Sequence, residues 1–231
     1  MQRVEAAFRR PLCVHERRQF RLTEEGRQLL PRAEVWLRQL RETVAAQEAP
    51  PLRLATTHAI ARVSMPAVWS IEPIDLQLMR PDQAYGAVLR NEADIAIVLD
   101  NAPWEGILAT DLGRGHFQLY STDPQAPLGP ILLPEDQMEV LTLQQRWQQV
   151  LGYPLPIKAR VPSWSLIADL CAASSQVGFL PDFLARQSLL HPVTWQPDPS
   201  QYHVLALYRQ SSENFQLRLQ RLLIEWRKVF N

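Results

Sequence analysis

Apolar and polar positions after residue 51 follow two alternating periods, one typical of strands and the other typical of helices. Short apolar runs at 52–55, 74–79 and 95–99 predict strands, and helical spacing at 59–70 and 83–91 predicts helices between them. The run at 95–99 is uninterrupted, which is typical of a strand inside a parallel sheet. Because strands and helices alternate, the pattern predicts an α/β fold with a parallel sheet and right-handed crossovers.

Two further helices are predicted, one near each end of the chain. The first begins after Thr23 as its N-cap and has apolar residues at helical spacing to about residue 47. Pro31 lies within it and predicts a kink or a weak turn. Such a helix needs a partner, either a second copy of itself or the chain's own globular domain. The last helix is predicted at 214–230, with an apolar face formed by Leu217, Leu219, Leu222, Leu223, Trp226 and Phe230.

A short basic hairpin is predicted ahead of the first long helix. Residues 1–21 contain six arginines and two glutamates, a local surplus of positive charge in a chain of zero net charge. The apolar residues Phe20 and Leu22 alternate with the arginines, as expected for a strand with one face on a small core. Arg17, Arg18 and Arg21 are therefore predicted to contact DNA phosphates, and an ordinary solvated arginine surface is the alternative.

Composition and motifs narrow the function. The 231 residues suffice for one or two domains. No apolar run reaches a membrane-spanning length and no signal peptide is recognisable, so we expect a cytoplasmic protein without a membrane partner. Cys13 and Cys171 are flanked by apolar residues and are predicted to be buried thiols. Because the common nucleophile, metal and phosphate-loop motifs are lacking, we predict no enzyme activity, no catalytic residue, no metal and no cofactor.

A ligand site is expected beyond the carboxyl ends of the strands, where helix N-termini offer free N–H groups. The first such place is Thr56, Thr57 and His58, directly after the first strand. Thr57 is predicted to cap the helix and point its hydroxyl into the cleft, where backbone amides would receive a carboxylate. A simple N-cap without a ligand is the alternative.

Two more loops complete the predicted site. Asp82 is expected to cap the helix at 83–91; its charge would disfavour an anion, whereas Arg80 would favour one, and the sequence leaves open which faces the cleft. Farther along, Ser163 is expected to cap another helix. Trp164 is a candidate pocket wall, with burial in a core as the alternative.

The hairpin and helix resemble the winged helix-turn-helix of LysR-type transcriptional regulators. Their common run PLF.R......LT..G..LL matches without a gap at Pro11, Leu12, Leu22, Thr23, Gly26, Leu29 and Leu30. Cys13 and His15 stand where the family usually has Phe and Arg. The segments LRLATTHAIARVSMP, AVLRNEADIAIV and LCAASSQVGFLPDFLA resemble successive parts of that family's effector-binding domain, although Ser174 and Gln176 replace the usual glycines.

The resemblance implies three parts: a remnant of the winged helix-turn-helix at 1–22, a linker and dimerisation helix at 23–50, and an effector-binding domain at 51–231. That domain would have the two-subdomain, periplasmic-binding-protein-like (type 2) α/β fold. Subdomain I would hold 52–114 and 201–231, and subdomain II would hold 115–200. The chain would cross between them near 113–116 and 197–202. In the family, the position of Thr57 often bears a Ser or Thr that contacts the effector.

The resemblance also implies the function. We expect a LysR-family transcriptional regulator, or a truncated derivative, that binds a small-molecule effector between the subdomains, an anion being one option, and acts as a homodimer or homotetramer. Met1 falls where the recognition helix should be in mid-course, so DNA is the expected partner if the missing helices exist in the full protein. The alternatives are a stand-alone solute-binding protein of the same fold and, less favoured, an enzyme on this scaffold.

Overall fold

The computed structural model describes residues 5, 7–16, 19–44, 50–100, 105–127, 129–135, 137–210 and 213–231. The chain divides into two compact units, Met1–Pro50 and Pro51–Asn231.

The first unit contains the predicted hairpin and long helix. Strands β1 (Cys13–Glu16) and β2 (Gln19–Leu22) pair antiparallel, and helix α1 (Glu24–Val44) follows. The Thr23 hydroxyl accepts the N–H of Gly26 at 3.0 Å, which confirms the predicted cap. The helix continues through Pro31, so the weak turn considered there does not form; a proline removes only one backbone donor. Residues 45–49, where the helix was expected to end, lie outside the described part of the chain.

Two predictions on the hairpin have different outcomes. Arg21 is exposed on β2, whereas Arg17 and Arg18 lie outside the described residues. Cys13 is only half-buried, so the prediction of a buried thiol is wrong there, because a two-stranded hairpin has too little structure around it to cover the side chain. Cys171, in the second unit, is fully buried as predicted.

The second unit is built from alternating strands and helices. Its strands are β3 (Leu52–Thr56), β4 (Ile74–Leu78), β5 (Ile95–Asp100), β6 (Leu108–Ser121), β7 (Ile131–Leu133), β8 (Ile157–Arg160), β9 (Gly178–Pro181), β10 (His191–Pro192) and β11 (Ser200–Tyr208). Its helices are α2 (His58–Val68), α3 (Pro81–Leu89), α4 (Met138–Leu151), α5 (Trp164–Ser174), α6 (Asp182–Gln187) and α7 (Glu213–Phe230).

The strands form one mixed sheet, nine-stranded over the described residues, in the order β4-β3-β5-β11-β6-β9-β7-β8, with β10 paired to β6. Strands β4, β3 and β5 are parallel to one another, and so are β8, β7 and β9. The long strands β6 and β11 run antiparallel to each other and join the two groups. The predicted parallel sheet is therefore correct within each group of three strands. It is wrong for the whole sheet, because β11 and β6 each run antiparallel to both of their neighbours in the strand order.

The joining strands pass through the regions predicted as crossings. Residues 113–116 lie inside β6, and their register against β11 shifts by one residue between Val204 and Leu205. The Asp111 carboxylate accepts the N–H of Gly113 at 2.9 Å and closes this bulge. The Gly-Arg-Gly sequence thus bends a continuous strand and does not interrupt it. The subdomain boundaries stay a prediction.

Helix α7 covers one face of the sheet with most of its predicted apolar face. Leu219, Leu222, Leu223, Trp226 and Phe230 are buried in the main core, each contributing about 1.5–3 kcal/mol of burial. Leu217 is 62 % exposed, so its assignment to this face is wrong, because it lies outside the spacing of three and four residues that joins the others. The Trp226 indole donates to the Ser64 carbonyl of α2 at 3.2 Å.

One local prediction about a helix end needs correction. Helix α3 begins at Pro81, and Arg80 is its N-cap, so Asp82 lies in the first turn and does not cap the helix. Proline is favoured at the first helical position because its missing N–H is not needed there. At the end of α5, Ser175 adopts the left-handed conformation, with φ 52°, between Ser174 and Gln176.

Candidate ligand-binding site

A cavity of about 880 Å³ lies in the second unit where strand ends meet helix N-termini. The starts of α2, α3, α4 and α5 all border it, and β6 and β11 supply its inner wall. Its lining includes Thr57, His58, Arg80, Asp82, Asp100, Phe117, Glu135, Gln137, Glu139, Ser163, Trp164 and Tyr202. Strand ends and helix starts meet here because each parallel strand leads into a helix on the same edge of the sheet.

The starts of α2 and α5 lie side by side on this cavity. The Thr57 hydroxyl accepts the N–H of Ile60 at 3.4 Å, and the Ser163 hydroxyl accepts the N–H of Leu166 at 3.3 Å. The two helices are joined by a hydrogen bond between His58 Nδ1 and the hydroxyl of Ser165, at 3.1 Å. Neither helix has an acidic residue in its first turn. Both therefore present first-turn N–H groups and positive dipole ends, which suit an anionic group.

The starts of α3 and α4 carry negative charge. Asp82 lies in the first turn of α3, 3.8 Å from the Arg80 guanidinium, and Glu139 lies in the first turn of α4. Burial raises the pKa of the Glu139 carboxyl. Asp100, at the end of β5, accepts the hydroxyl of Tyr85 at 2.9 Å. These walls differ in charge from the wall formed by α2 and α5.

The inner wall is aromatic. The Phe117 ring lies 5.2 Å from that of Trp164 and 4.8 Å from that of Tyr202, measured between ring centroids. Trp164 is half-buried, so it both packs on the core and lines the cavity. The Tyr202 hydroxyl donates to Asp182, which also accepts the His116 N–H at 3.3 Å. Burial and the nearby Asp182 charge raise the pKa of the Tyr202 phenol, so it stays a neutral donor at neutral pH.

The cavity brings together six of the seven residues predicted from sequence: Thr57, His58, Arg80, Asp82, Ser163 and Trp164. Thr56 is fully buried, and its hydroxyl donates to the Ile97 carbonyl at 2.7 Å. It faces the interior of the sheet because successive side chains of a strand point to opposite faces. Ligand contact by these residues stays a prediction.

Sequence reasoning missed one helix start and the inner wall. The segment 131–139 has the same strand-to-helix pattern as the loops that were recognised, so that rule applied there would have found Gln137 and Glu139. Phe117 and Tyr202 had no such signal, because they reach the cavity from within β6 and from the start of β11.

No group of three or more His, Cys, Asp or Glu side chains in the described part of the chain could hold a metal ion. Among the described helices, none combines the length and apolar character needed to cross a membrane.

Comparisons with known proteins agree with this architecture. The family model of the LysR substrate binding domain matches residues 73–227. This domain family has a periplasmic-binding-protein-like fold, which confirms the predicted fold class. No curated protein sequence matches the chain.

Solved structures of LysR-type regulators resemble the chain along nearly its whole length. CrgA from Neisseria meningitidis is 20 % identical, with 100 % of this chain and 88 % of that one covered and a TM-score of 0.61. LysG from Corynebacterium glutamicum, solved with its effector Arg, is 18 % identical over 98 % and 86 %, with a TM-score of 0.60. DarR from Vibrio fischeri, solved with DNA, is 12 % identical over 96 % and 86 %, with a TM-score of 0.63. Identities this low show a shared fold.

Proposed function

Since the chain belongs to the LysR substrate binding domain family, we propose that it senses a small molecule in the cavity and regulates transcription by binding DNA. It acts without enzymatic chemistry, in the cytoplasm, and as a homodimer or homotetramer. The ligand occupies the cavity bordered by α2, α3, α4 and α5 and carries an anionic group.

The observation that carries this proposal is the pairing of the α2 and α5 starts on one cavity. Thr57 and Ser163 each satisfy one first-turn N–H of their own helix, and the His58–Ser165 hydrogen bond holds the two helix starts together. Free N–H groups of two helices then point toward one region, where they favour negative charge. A ligand that contacts both α2 and α5 would bind more tightly to one relative position of these two helices than to others. Binding would then shift the protein toward that conformation.

The DNA-binding half of the proposal is supported by the basic hairpin and by the relatives. Arg21 is exposed on β2, and Arg17 and Arg18 belong to the same basic sequence. DarR, which shares the fold, was solved in a complex with DNA. In the proposed mode these arginines contact phosphates, which adds affinity without reading the base sequence.

The proposed self-association is supported by α1. Val35, Trp36, Leu37 and Leu40 are each at least 40 % exposed, and they lie within two turns of one helix. A second copy of α1 is the occupant that this surface suits best, because identical stripes on two helices cover each other.

The ligand half is tested with Thr57→Val. Removing the hydroxyl should weaken binding of small carboxylates about five- to tenfold, because one hydrogen bond is worth about 1 kcal/mol. Calorimetric titration measures the change, after a thermal-shift screen of carboxylates has found a binder. Thr57→Ser should bind nearly as well as wild type. Thr142→Val is the off-site control, since the Thr142 hydroxyl donates to Met138 O on α4 and does not line the cavity. An unchanged titration for Thr57→Val would place the site elsewhere.

The DNA half is tested separately by fluorescence anisotropy with a random-sequence duplex. We expect weak binding whose logarithm falls with the logarithm of salt concentration. The triple change Arg17→Gln, Arg18→Gln and Arg21→Gln should lower that slope by up to about 0.9 for each phosphate left without its arginine. Ligand binding without any DNA binding at low salt would instead favour a stand-alone solute-binding protein.

A further inference from the structure

The helix starts around the cavity fall into two classes by the charge of their first turns. Those of α2 and α5 have no acidic residue, whereas those of α3 and α4 carry Asp82 and Glu139. An aspartate or glutamate in the first turn neutralises the positive end of its own helix dipole. Only α2 and α5 therefore retain a wall that attracts an anion, and the walls from α3 and α4 do not.

The described lining as a whole is more negative than an anion alone would require. It contains four carboxylates, from Asp82, Asp100, Glu135 and Glu139, and one guanidinium, from Arg80. Arg80 lies 3.8 Å from Asp82, and Asp100 already accepts the Tyr85 hydroxyl. Glu135 and Glu139 form no ion pair with any described residue. A purely anionic ligand would face these two carboxylates across the same cavity.

Glu139 is the more informative of the two because it is half-buried. A carboxylate that leaves water without a cationic partner loses solvation energy, and burial accordingly raises the pKa of Glu139. A cationic group of a ligand would supply the missing partner. The helix dipole is positive at the start of α4 and does not attract a cationic ligand group. The attraction must therefore come from the Glu139 carboxylate itself.

The wall from α2 and α5 offers an additional unsatisfied donor. The Trp164 indole N–H is buried, and it has no hydrogen-bond acceptor among the described residues. Trp164 is also the first residue of α5, so its ring lies where the free N–H groups of that helix are. This N–H is therefore an unpaired donor within the wall, with almost no surface open to the cavity.

From these two walls we infer that the ligand is amphoteric, with an anionic group at the starts of α2 and α5 and an ammonium or guanidinium group that pairs with Glu139 and Glu135. The inference rests on the proposed function, because it concerns the ligand of the same cavity. It adds the second charge of the ligand and assigns the two residues that select for it.

Matched compounds test the second charge. The purified chain is titrated at pH 8 with 5-aminopentanoate and 6-aminohexanoate, each beside the analogue that lacks the amine, pentanoate and hexanoate. At this pH the carboxylate and alkylammonium groups of the titrated compounds are charged. We expect at least one amphoteric member to bind at least about tenfold more tightly than its analogue, as a hydrogen-bonded charge pair allows. The double variant Glu135→Gln, Glu139→Gln should reduce that ratio below about threefold without weakening the affinity for the amine-free analogue, because removing negative charge cannot disfavour an anion.

The controls separate this inference from the proposed function. Glu225→Gln also removes one carboxylate, on α7 beside Lys228 and away from the cavity lining, and it should keep the wild-type ratio. Equal binding of amphoteric compounds and their amine-free analogues would overturn the amphoteric ligand and leave an anion-sensing cavity. Wild-type binding to none of the four compounds would count against both. A ratio unaffected by the double variant would overturn the assignment to Glu135 and Glu139.

Discussion

Gly115→Ala is a change for which the structure predicts a large local effect next to the cavity. Gly115 lies in β6 opposite Tyr202 of β11. A methyl group on its Cα would overlap the Tyr202 hydroxyl and the Asp182 carboxylate, and it would lie 2.5 Å from Tyr202 Cζ. The hydrogen bond between Tyr202 and Asp182 passes directly over this glycine. Alanine can therefore be accommodated only if that bond breaks or the two strands move apart.

The size of the effect follows from these two costs. Losing a hydrogen bond to a charged group costs about 1.5–3 kcal/mol, and forcing a methyl group into a packed region costs about 1–3 kcal/mol. We expect Gly115→Ala to lower the free energy of unfolding by about 3–5 kcal/mol, a large share of the roughly 5–15 kcal/mol typical of a folded domain. Gly129→Ala is the matched control. Among the described residues its added carbon would meet only the Pro127 carbonyl, at 3.8 Å, so it should change stability by less than about 0.5 kcal/mol.

Urea denaturation of the two variants measures both values. In a Tyr202→Phe background the hydroxyl is gone, so Gly115→Ala should cost at least about 1 kcal/mol less than it does in wild type. Because Tyr202 lines the cavity, the alanine should also weaken ligand binding. Equal stability of Gly115→Ala and Gly129→Ala would show that the contact over Gly115 is not tight, and the reasoning would fail.

Two further predictions concern stability. Arg218→Ala should lower the free energy of unfolding, measured by urea denaturation, by about 3–5 kcal/mol, because Arg218 and Glu72 form an ion pair at 2.9 Å with only 12 % and 8 % of their side chains exposed. The control Arg221→Ala, at an exposed position on the same helix, should lower it by less than about 0.5 kcal/mol. Similar losses for the two variants would contradict the pairing. Burial raises the pKa of the Cys171 thiol to about 12 from its ordinary 9. The contribution of this thiol to the free energy of unfolding is therefore complete below pH 9, and it falls by about 1.4 kcal/mol per pH unit between pH 9 and 12 as the thiol ionises in the unfolded chain. Cys171→Ala should show a correspondingly shallower loss of unfolding free energy above pH 9, and an identical slope would rule this out.

Local patterns predicted β3, β4 and β5 with the two helices between them, the start of α5, and the last helix, α7. The strands at 74–79 and 95–99 correspond to β4 and β5, because apolar runs next to turn residues leave few alternatives to burial in a sheet. The start of α3 was misplaced because Pro81 was taken as part of a turn, although it fits the first position of a helix equally well. The predicted ends of helices were therefore uncertain wherever the same residue fits both a turn and the first position of a helix.

The residues of the candidate site also fall into two groups: those that local sequence predicts and those that only strand pairing places there. Thr57 and Ser163 were predicted because capping is a local interaction with an N–H three residues on. Glu139 belongs to a strand-to-helix loop of the same kind that was not considered. Phe117 and Tyr202 form the inner wall through the pairing of β6 with its neighbours, and nothing near them in sequence marks either residue.

The amino-acid sequence by itself determined the first three strands of the second unit and the helices between them, the basic hairpin, the caps Thr23, Thr57 and Ser163, and the family. Each of these depends on residues within about one or two turns or on a contiguous motif. The tertiary structure decided which helix starts share a cavity, that the sheet is mixed, and that Glu135 and Glu139 face the same space as the starts of α2 and α5. These features depend on the antiparallel pairing of β6 with β11, which brings together residues about 90 positions apart. Contacts over that distance are set by the packing of the whole sheet, and no local period records them.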